Sequence, residues 1–113
     1  MRYLTILVLA LILAGCSKEV SYSIADAESV GFEKDSQQLY QMVGAIDGWS
    51  GTLQGERVEL YEFESSSEVK AEAFEKSTQE GNMSGWADLC QVGNLLMISK
   101  GKKACATLKA INV

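Results

Sequence analysis

The chain contains no histidine and no proline among its 113 residues. Histidine is the commonest metal ligand and the commonest general base in proteins. Its absence excludes Ser-His-Asp and Cys-His arrangements and leaves carboxylates, lysine and tyrosine as the remaining acid–base groups. The sequence therefore predicts no catalytic residue, no metal site and no cofactor, and it favours a protein that is not an enzyme.

Basic residues are also scarce, since ten lysines and arginines stand against fifteen acidic residues and give a net charge of −5 at pH 7. This balance argues against a nucleic-acid partner, which would attract a basic surface. Four carboxylates crowd one short stretch, at Glu56, Glu59, Glu62 and Glu64. Calcium needs a folded-back loop with about six to eight oxygen ligands, so we interpret these carboxylates as solvated strand charges that discourage edge pairing.

The only long apolar run covers positions 4–13, and Thr5 alone interrupts it. A transmembrane helix needs about 20 apolar residues, so this run is too short to span a bilayer. Arg2 before the run and the polar residues 17–19 after it are typical of a secretory signal. The run ends in Leu13-Ala14-Gly15-Cys16, which resembles the lipobox of bacterial lipoproteins.

The resemblance implies that residues 1–15 are a cleaved signal peptide and that Cys16 carries the lipid, with diacylglycerol on its thiol and an acyl chain such as palmitate on its amine. Two or three acyl chains make a stable membrane anchor, whereas one binds reversibly. Ser17 follows the cysteine, which resembles sorting to the outer membrane of Gram-negative bacteria, on its periplasmic face. The alternative is a buried cysteine in an N-terminal core helix, and the abrupt polar switch after Cys16 argues against it.

Two cysteines remain beyond Cys16, at positions 90 and 105. In an exported protein an even remainder indicates a disulfide, so we predict a bridge between Cys90 and Cys105. Two buried free thiols are the alternative. A redox-active pair is a third interpretation, but the Cys-x-x-Cys spacing is missing.

An internal repeat runs through the second half of the chain. Gly48-Trp49 and Gly85-Trp86 lie 37 positions apart, and at the same offset Val58 matches Leu95, Leu60 matches Met97 and Tyr61 matches Ile98. Matching apolar positions at a fixed period indicate a duplicated unit. Each copy has the pattern of two strands and a helix, with turns at Gln54-Gly55 and Gly93-Asn94.

The predicted fold is α+β, in the order α-ββ-α-ββ-α, with an antiparallel sheet of about four strands and helices on one face. Leu39, Met42, Val43 and Ile46 recur at helical spacing and predict a helix over residues 35–45. Further helices are predicted at 65–80, where Ser65 and Glu68 form a capping box, and at 102–112. Residues 16–34 are predicted to be a lipid-anchored tether, with an edge strand as the alternative, and residues 35–113 a single domain.

Strand alternation places Tyr61, Phe63, Leu96 and Ile98 on the face opposite the predicted helices. An exposed apolar face usually marks a partner surface, although loops or the N-terminal segment would serve equally well as a cover. The sequence therefore favours a lipid-anchored, non-catalytic interaction module of the cell envelope, such as an assembly, inhibitor or exclusion factor with a protein partner. The alternative is a small-ligand-binding or enzymatic domain with a pocket between sheet and helices.

Overall fold

The computed structural model describes residues 21–79, 81 and 83–112. Within them, three short helices accompany one antiparallel sheet whose strand order is β1-β2-β3-β5-β4, so the α+β class is confirmed with five strands rather than four. The strands are β1 Glu33–Gln37, β2 Asp47–Leu53, β3 Glu56–Glu62, β4 Asp88–Val92 and β5 Leu95–Ser99. The helices are α1 Ile24–Glu28, α2 Glu72–Glu75 and α3 Ala104–Leu108, and 3₁₀ helices cover Tyr40–Val43, Ser66–Glu68, Lys76–Thr78 and Lys109–Asn112.

Two hairpins form the centre of the sheet, and both turn where the sequence predicts. At Gln54-Gly55 both residues have positive φ, 55° and 74°, which is the backbone twist that a two-residue hairpin loop requires. The hairpins meet where β3 pairs with β5, and Leu60 lies directly opposite Met97. Because the repeat also maps Leu60 onto Met97, the repeat relates β3 to β5 about this pair. It does not extend to the outer strands, because Leu60 pairs with Trp49 on its other side whereas Met97 pairs with Cys90, which lies 90 − 49 = 41 positions after Trp49 and not 37.

The helices that follow the two hairpins do not repeat. The helix predicted over residues 65–80 is broken into two 3₁₀ helices and α2, and Ser65 makes no capping hydrogen bond. Its hydroxyl instead lies 3.0 Å from that of Ser67. Serine side chains that bond locally compete with helix formation, and the backbone of Val69 is extended. The helix predicted at 102–112 is confirmed as α3 and its 3₁₀ continuation.

The first face of the sheet packs against α1 and α3. Its core contains Val58 and Leu60 from β3 and Leu95 and Met97 from β5, as the repeat predicts. The other buried members are Ile24, Ala27, Phe32, Leu53, Cys90, Val92, Ala104 and Leu108. Burying this apolar surface beneath the helices is the main stabilising contribution on this side.

The second face is covered, so the prediction of an open partner surface is wrong. Tyr61, Phe63, Leu96 and Ile98 do share this face, but none of them is more than 6% exposed. The 3₁₀ helix Tyr40–Val43 and helix α2 lie over them, and the ring of Phe74 stands 5.2 Å from that of Tyr61. Short irregular segments thus bury this face as a long helix would. The helices lie on both faces of the sheet, whereas the sequence predicts them on one face.

The segment before the first hairpin differs most from the prediction. Residues 33–37 form the edge strand β1 instead of the start of a helix, and all five side chains are exposed. The sequence from Glu33 to Gln38 has no apolar residue to hold a helix on the core. Gly51 opposite lacks a side chain, and any Cβ there would collide with the carbonyl oxygen of Glu33. The strand can therefore approach β2 closely.

Residues 24–34 belong to the domain and not to a tether. Ile24, Ala27 and Phe32 are buried in the first core. Helix α1 begins at a capping box, because the Ser23 hydroxyl accepts the backbone N–H of Asp26 while the Asp26 carboxylate accepts that of Ser23. Residues 24–32 therefore form neither the tether nor the alternative edge strand, although the edge strand β1 begins at the last two positions of the predicted tether. The signal peptide, Cys16 and the rest of the predicted tether up to residue 20 lie outside the described residues.

Candidate functional site

The predicted disulfide is present between Cys90 in β4 and Cys105 in α3, with 5.7 Å between the Cα atoms. The helix lies over the first face, so the bridge joins an edge strand to the cover of the core. It closes a loop across a sequence separation of 15, which the loop-entropy model values at roughly 3 kcal/mol.

Two of the crowded glutamates in β3, Glu56 and Glu59, accept hydrogen bonds that stabilise the fold. The Glu56 carboxylate accepts the backbone N–H groups of Lys103 at 3.1 Å and Ala104 at 2.9 Å, which caps the start of α3. Glu59 accepts the hydroxyl of Tyr61 at 2.8 Å. These carboxylates are therefore not merely solvated strand charges. Among the described residues, no group of three or more acidic residues or cysteines is placed to hold a metal ion.

Tyr61 is a hydrogen-bond donor rather than a candidate acid. Burial raises the pKa of its phenol, and the hydrogen bond to Glu59 together with the negative charge of that carboxylate raises the pKa further. The phenol therefore stays protonated at physiological pH, and the donor role that the geometry gives it is the chemically stable one.

Each repeated tryptophan lies beneath a lysine. The Lys34 ammonium stands 4.4 Å from the ring centre of Trp49, and the Lys100 ammonium stands 4.5 Å from that of Trp86. Both rings are half-buried, but Trp49 packs on the first core and Trp86 on the second. Both tryptophans therefore pack against a core, but they do so on opposite faces of the sheet.

A buried amide holds the N-terminal segment to the end of the sheet. The Asn94 side chain accepts the backbone N–H of Tyr22 at 2.6 Å and donates to the carbonyl of Tyr22 at 2.8 Å. It also donates to the carbonyl of Phe63 at 2.8 Å. Asn94 is fully buried, so these bonds are shielded from water. The sequence indicated only a turn at this residue, because nothing local shows what its side chain contacts.

Glu62, the last residue of β3, joins two further segments at the same end. Its carboxylate accepts the backbone N–H of Ile24 at 3.1 Å, and its carbonyl accepts that of Ile46 at 2.7 Å. Burial raises the pKa of the Glu62 carboxyl; the Ile24 hydrogen bond opposes this shift, and the charges of Asp47 and Asp26 add to it. We call this end of the sheet, where Tyr22, Asn94, Glu62 and residues 38–46 meet, the anchor end.

The loop at the anchor end exposes three large apolar side chains. Leu39 is 73% exposed, Met42 80% and Ile46 50%. Leu39 caps the 3₁₀ helix that carries Met42, and residues three apart in such a helix lie on the same side. Tyr40 and Val43 turn inward to the second core instead. The predicted core-facing stripe is therefore wrong for three of its four members. We call Leu39, Met42 and Ile46 the apolar patch.

The surface depressions are open to solvent. One lies between α1, the first hairpin turn and α3, where Gly31, Gln54 and Thr107 line it. Another lies beside Trp86 and Lys102. The predicted alternative needs a pocket between the sheet and the helices, but the two cores fill the space there.

No family model, curated protein or solved structure matches this chain. Within residues 21–79, 81 and 83–112, no helix has the length and apolar character that crossing a bilayer requires. Geometry alone therefore defines the candidate site, which is the anchor end with its apolar patch.

Proposed function

We propose that this protein is a lipid-anchored lipoprotein of the cell envelope, and that it acts as a non-catalytic interaction module at the membrane surface. The observation that carries the proposal is the position of the Asn94 side chain, which fixes where the N-terminal segment joins the domain. Asn94 holds the backbone of Tyr22, only six residues after the lipobox cysteine, Cys16. Six extended residues span about 20–22 Å, so a lipid on Cys16 would keep the domain against the membrane.

The proposed location follows from two further observations. The Cys90–Cys105 bridge supports an oxidising compartment, such as a bacterial periplasm. Ser17 after the lipobox cysteine supports the outer membrane, with the domain on its periplasmic face.

A protein partner of the envelope remains part of the proposal, but it would not bind the sheet faces. Tyr61, Phe63, Leu96 and Ile98 are buried and are not available to it. An assembly, inhibitor or exclusion role would have to use loops and edges. The small-ligand or enzymatic alternative is less supported, because the cores occupy the space where its pocket would lie.

The proposal is tested by replacing Cys16 with serine, which cannot form the thioether. Cells expressing the full chain are fed radiolabelled palmitate, and the labelled protein and its mass are measured. The Cys16→Ser chain should carry no label and should keep its signal peptide. The matched control is the Cys90→Ala, Cys105→Ala double variant, which should keep its label because Cys16 is intact. Equal labelling of Cys16→Ser and the unchanged chain would contradict the proposal.

A further inference from the structure

We infer that the apolar patch of Leu39, Met42 and Ile46 rests on the lipid bilayer to which Cys16 is attached. The inference depends on the proposed function, because it requires the lipid anchor. It adds a second membrane contact, made by the folded domain, and with it a fixed orientation of the domain on the membrane.

The patch and the departing N-terminal segment are held at one end of the sheet by the same residue. The Glu62 carbonyl accepts the N–H of Ile46 at 2.7 Å, and the Glu62 carboxylate accepts the N–H of Ile24 at 3.1 Å. Asn94 holds Tyr22 beside the same strand end, through the carbonyl of Phe63. The place where the chain leaves the domain thus has a fixed position next to the patch.

The length of chain before Tyr22 brings this end to the membrane. Six residues join Cys16 to Tyr22 and reach about 20–22 Å when fully extended. A seven-residue strand such as β3 is itself about 23 Å long. The lipid therefore lies within about 20–22 Å of Tyr22, and the opposite end of the sheet lies about 23 Å from the anchor end. The anchor end is thus the end that the short connection holds nearest to the lipid.

The side chains of the patch suit insertion between lipids rather than attraction to their charges. Three large apolar groups are exposed on a short loop, and apolar side chains that face a bilayer bury themselves at the boundary of headgroups and acyl chains. The charged neighbours are mixed, with Asp47 and Glu62 at the strand ends and Lys70 beside Gly44. The described neighbours thus carry charges of both signs, so we infer that apolar contact is the interaction that holds this end.

Two exposed methionines at opposite ends of the sheet provide a matched experiment. Met42 lies in the patch, whereas Met83 is fully exposed at the far end. Ala87 there donates to the carbonyl of Ser99 at 2.8 Å, and the Lys100 ammonium contacts the carbonyl of Ser84. With Cys90 and Cys105 bridged and Cys16 lipidated, Met42→Cys or Met83→Cys would supply a single free thiol for a fluorescent label.

The labelled lipidated chain is reconstituted into phosphatidylcholine vesicles that contain nitroxide-bearing lipids. We expect the lipid nitroxides to quench the label at position 42 at least about threefold more strongly than the label at position 83, which should respond to aqueous iodide instead. Adding phosphatidylglycerol should not strengthen the quenching at position 42. Equal quenching at the two positions would overturn the inference.

A second variant tests whether the patch itself causes the contact. Leu39→Ser with Ile46→Ser, in the Met42→Cys background, should lower the lipid quenching to the level seen at position 83. These side chains are exposed, and an unchanged thermal unfolding curve would show that the fold is intact. Undiminished quenching in a folded variant would overturn the inference.

The outcomes separate this inference from the proposed function. If the chain takes up no palmitate on Cys16, the result contradicts both the proposed function and the inference. If the chain is lipidated but the label at position 42 stays accessible to iodide, the result contradicts the inference alone. Shielding of position 42 in native membranes but not in pure lipid vesicles would mean that an envelope protein covers the patch, and this result also overturns the inference.

Discussion

The two faces of the sheet bury similar side chains beneath different covers. On the first face two α-helices lie over the core, and one of them is tied to β4 by the disulfide and capped by Glu56. On the second face the cover consists of 3₁₀ helices and the four-residue helix α2. The repeat relates the two central strands, β3 and β5, but it does not relate the segments that cover them. Repeated strands therefore do not require repeated helices.

The difference predicts which side of the domain relaxes more easily around a cavity in its core. A regular helix held by a covalent bridge moves as a unit, so it cannot easily collapse into a space that opens beneath it. Short turns can shift individually. We therefore expect the second face to tolerate change better than the first, and the predictions below test this contrast in order of decreasing effect.

The largest effects should come from two leucines at the centre of the sheet. Leu60 of β3 faces the first core and Leu96 of β5 faces the second, and each is at most 1% exposed. Replacing either with alanine should lower the free energy of unfolding by about 2–5 kcal/mol, because the vacated space loses its contacts. Leu60→Ala should be the more damaging, since its cover relaxes less. Urea unfolding measures the free energy of unfolding of both variants. A larger loss for Leu96→Ala than for Leu60→Ala would contradict the expected difference between the two faces.

Removing the disulfide should cost about 2–4 kcal/mol, and it should also change the leucine comparison. In a Cys90→Ala, Cys105→Ala background, α3 is free to move toward a cavity beneath it. The difference between Leu60→Ala and Leu96→Ala should then become smaller, which is measured as a coupling energy in a mutant cycle. If the bridge does not make the first cover rigid, the two backgrounds will give the same difference.

The smallest effect concerns Glu62, which lies at the edge of the first face. The pKa of its carboxyl is higher in the folded chain than its ordinary value, so the folded state binds more protons than the unfolded state in the window just above that value. Stability is therefore greater at acid pH and falls as the pH rises through this window. Glu62→Gln keeps an acceptor for the Ile24 N–H and removes the charge. It should stabilise the protein at pH 7 by less than about 1 kcal/mol, since solvent screens a partly exposed group.

The pH dependence provides the check on this prediction. The advantage of Glu62→Gln should disappear below about pH 4, where the carboxyl is protonated in both states. The control variant is Glu64→Gln, which makes the same change in net charge at an exposed neighbour. A Glu62→Gln chain that is less stable than the unchanged protein at pH 7 would mean that the hydrogen bond to Ile24 outweighs burial and repulsion.

Local patterns predicted the parts of the fold whose partners are close in sequence or chemically unambiguous. Turn residues marked both hairpins, strand alternation assigned Leu60 and Tyr61 to opposite faces, and the spare cysteines indicated the bridge. The cover of the second face could not be predicted in this way, because Tyr40 and Phe74 reach it from separate irregular segments. The contrast between faces is therefore a property of tertiary packing.

The anchor end was missed for a related reason. The helical spacing of Leu39, Met42 and Ile46 suggested a buried stripe, but the polar residues from 33 to 38 pair as a strand and leave too short a segment for an α-helix. The sequence marks Asn94 only as a turn residue, whereas in the structure its side chain accepts a hydrogen bond from the backbone N–H of Tyr22. Contacts over 72 positions leave no periodic signal, so the sequence alone does not mark the site.

The polar edge strand β1 has a consequence for how many copies can share one surface. Molecules confined to a plane and similarly oriented collide edge to edge, and unpaired strand edges then favour growing, shared sheets. Here the outer strand carries Glu33, Lys34 and Asp35, and its pairing register shifts between Lys34 and Ser36. Asp35 is further held by Arg57 at 3.0 Å. If the proposed lipid anchor holds copies side by side, this irregular, charged rim gives a neighbouring copy no flat template for pairing with β1.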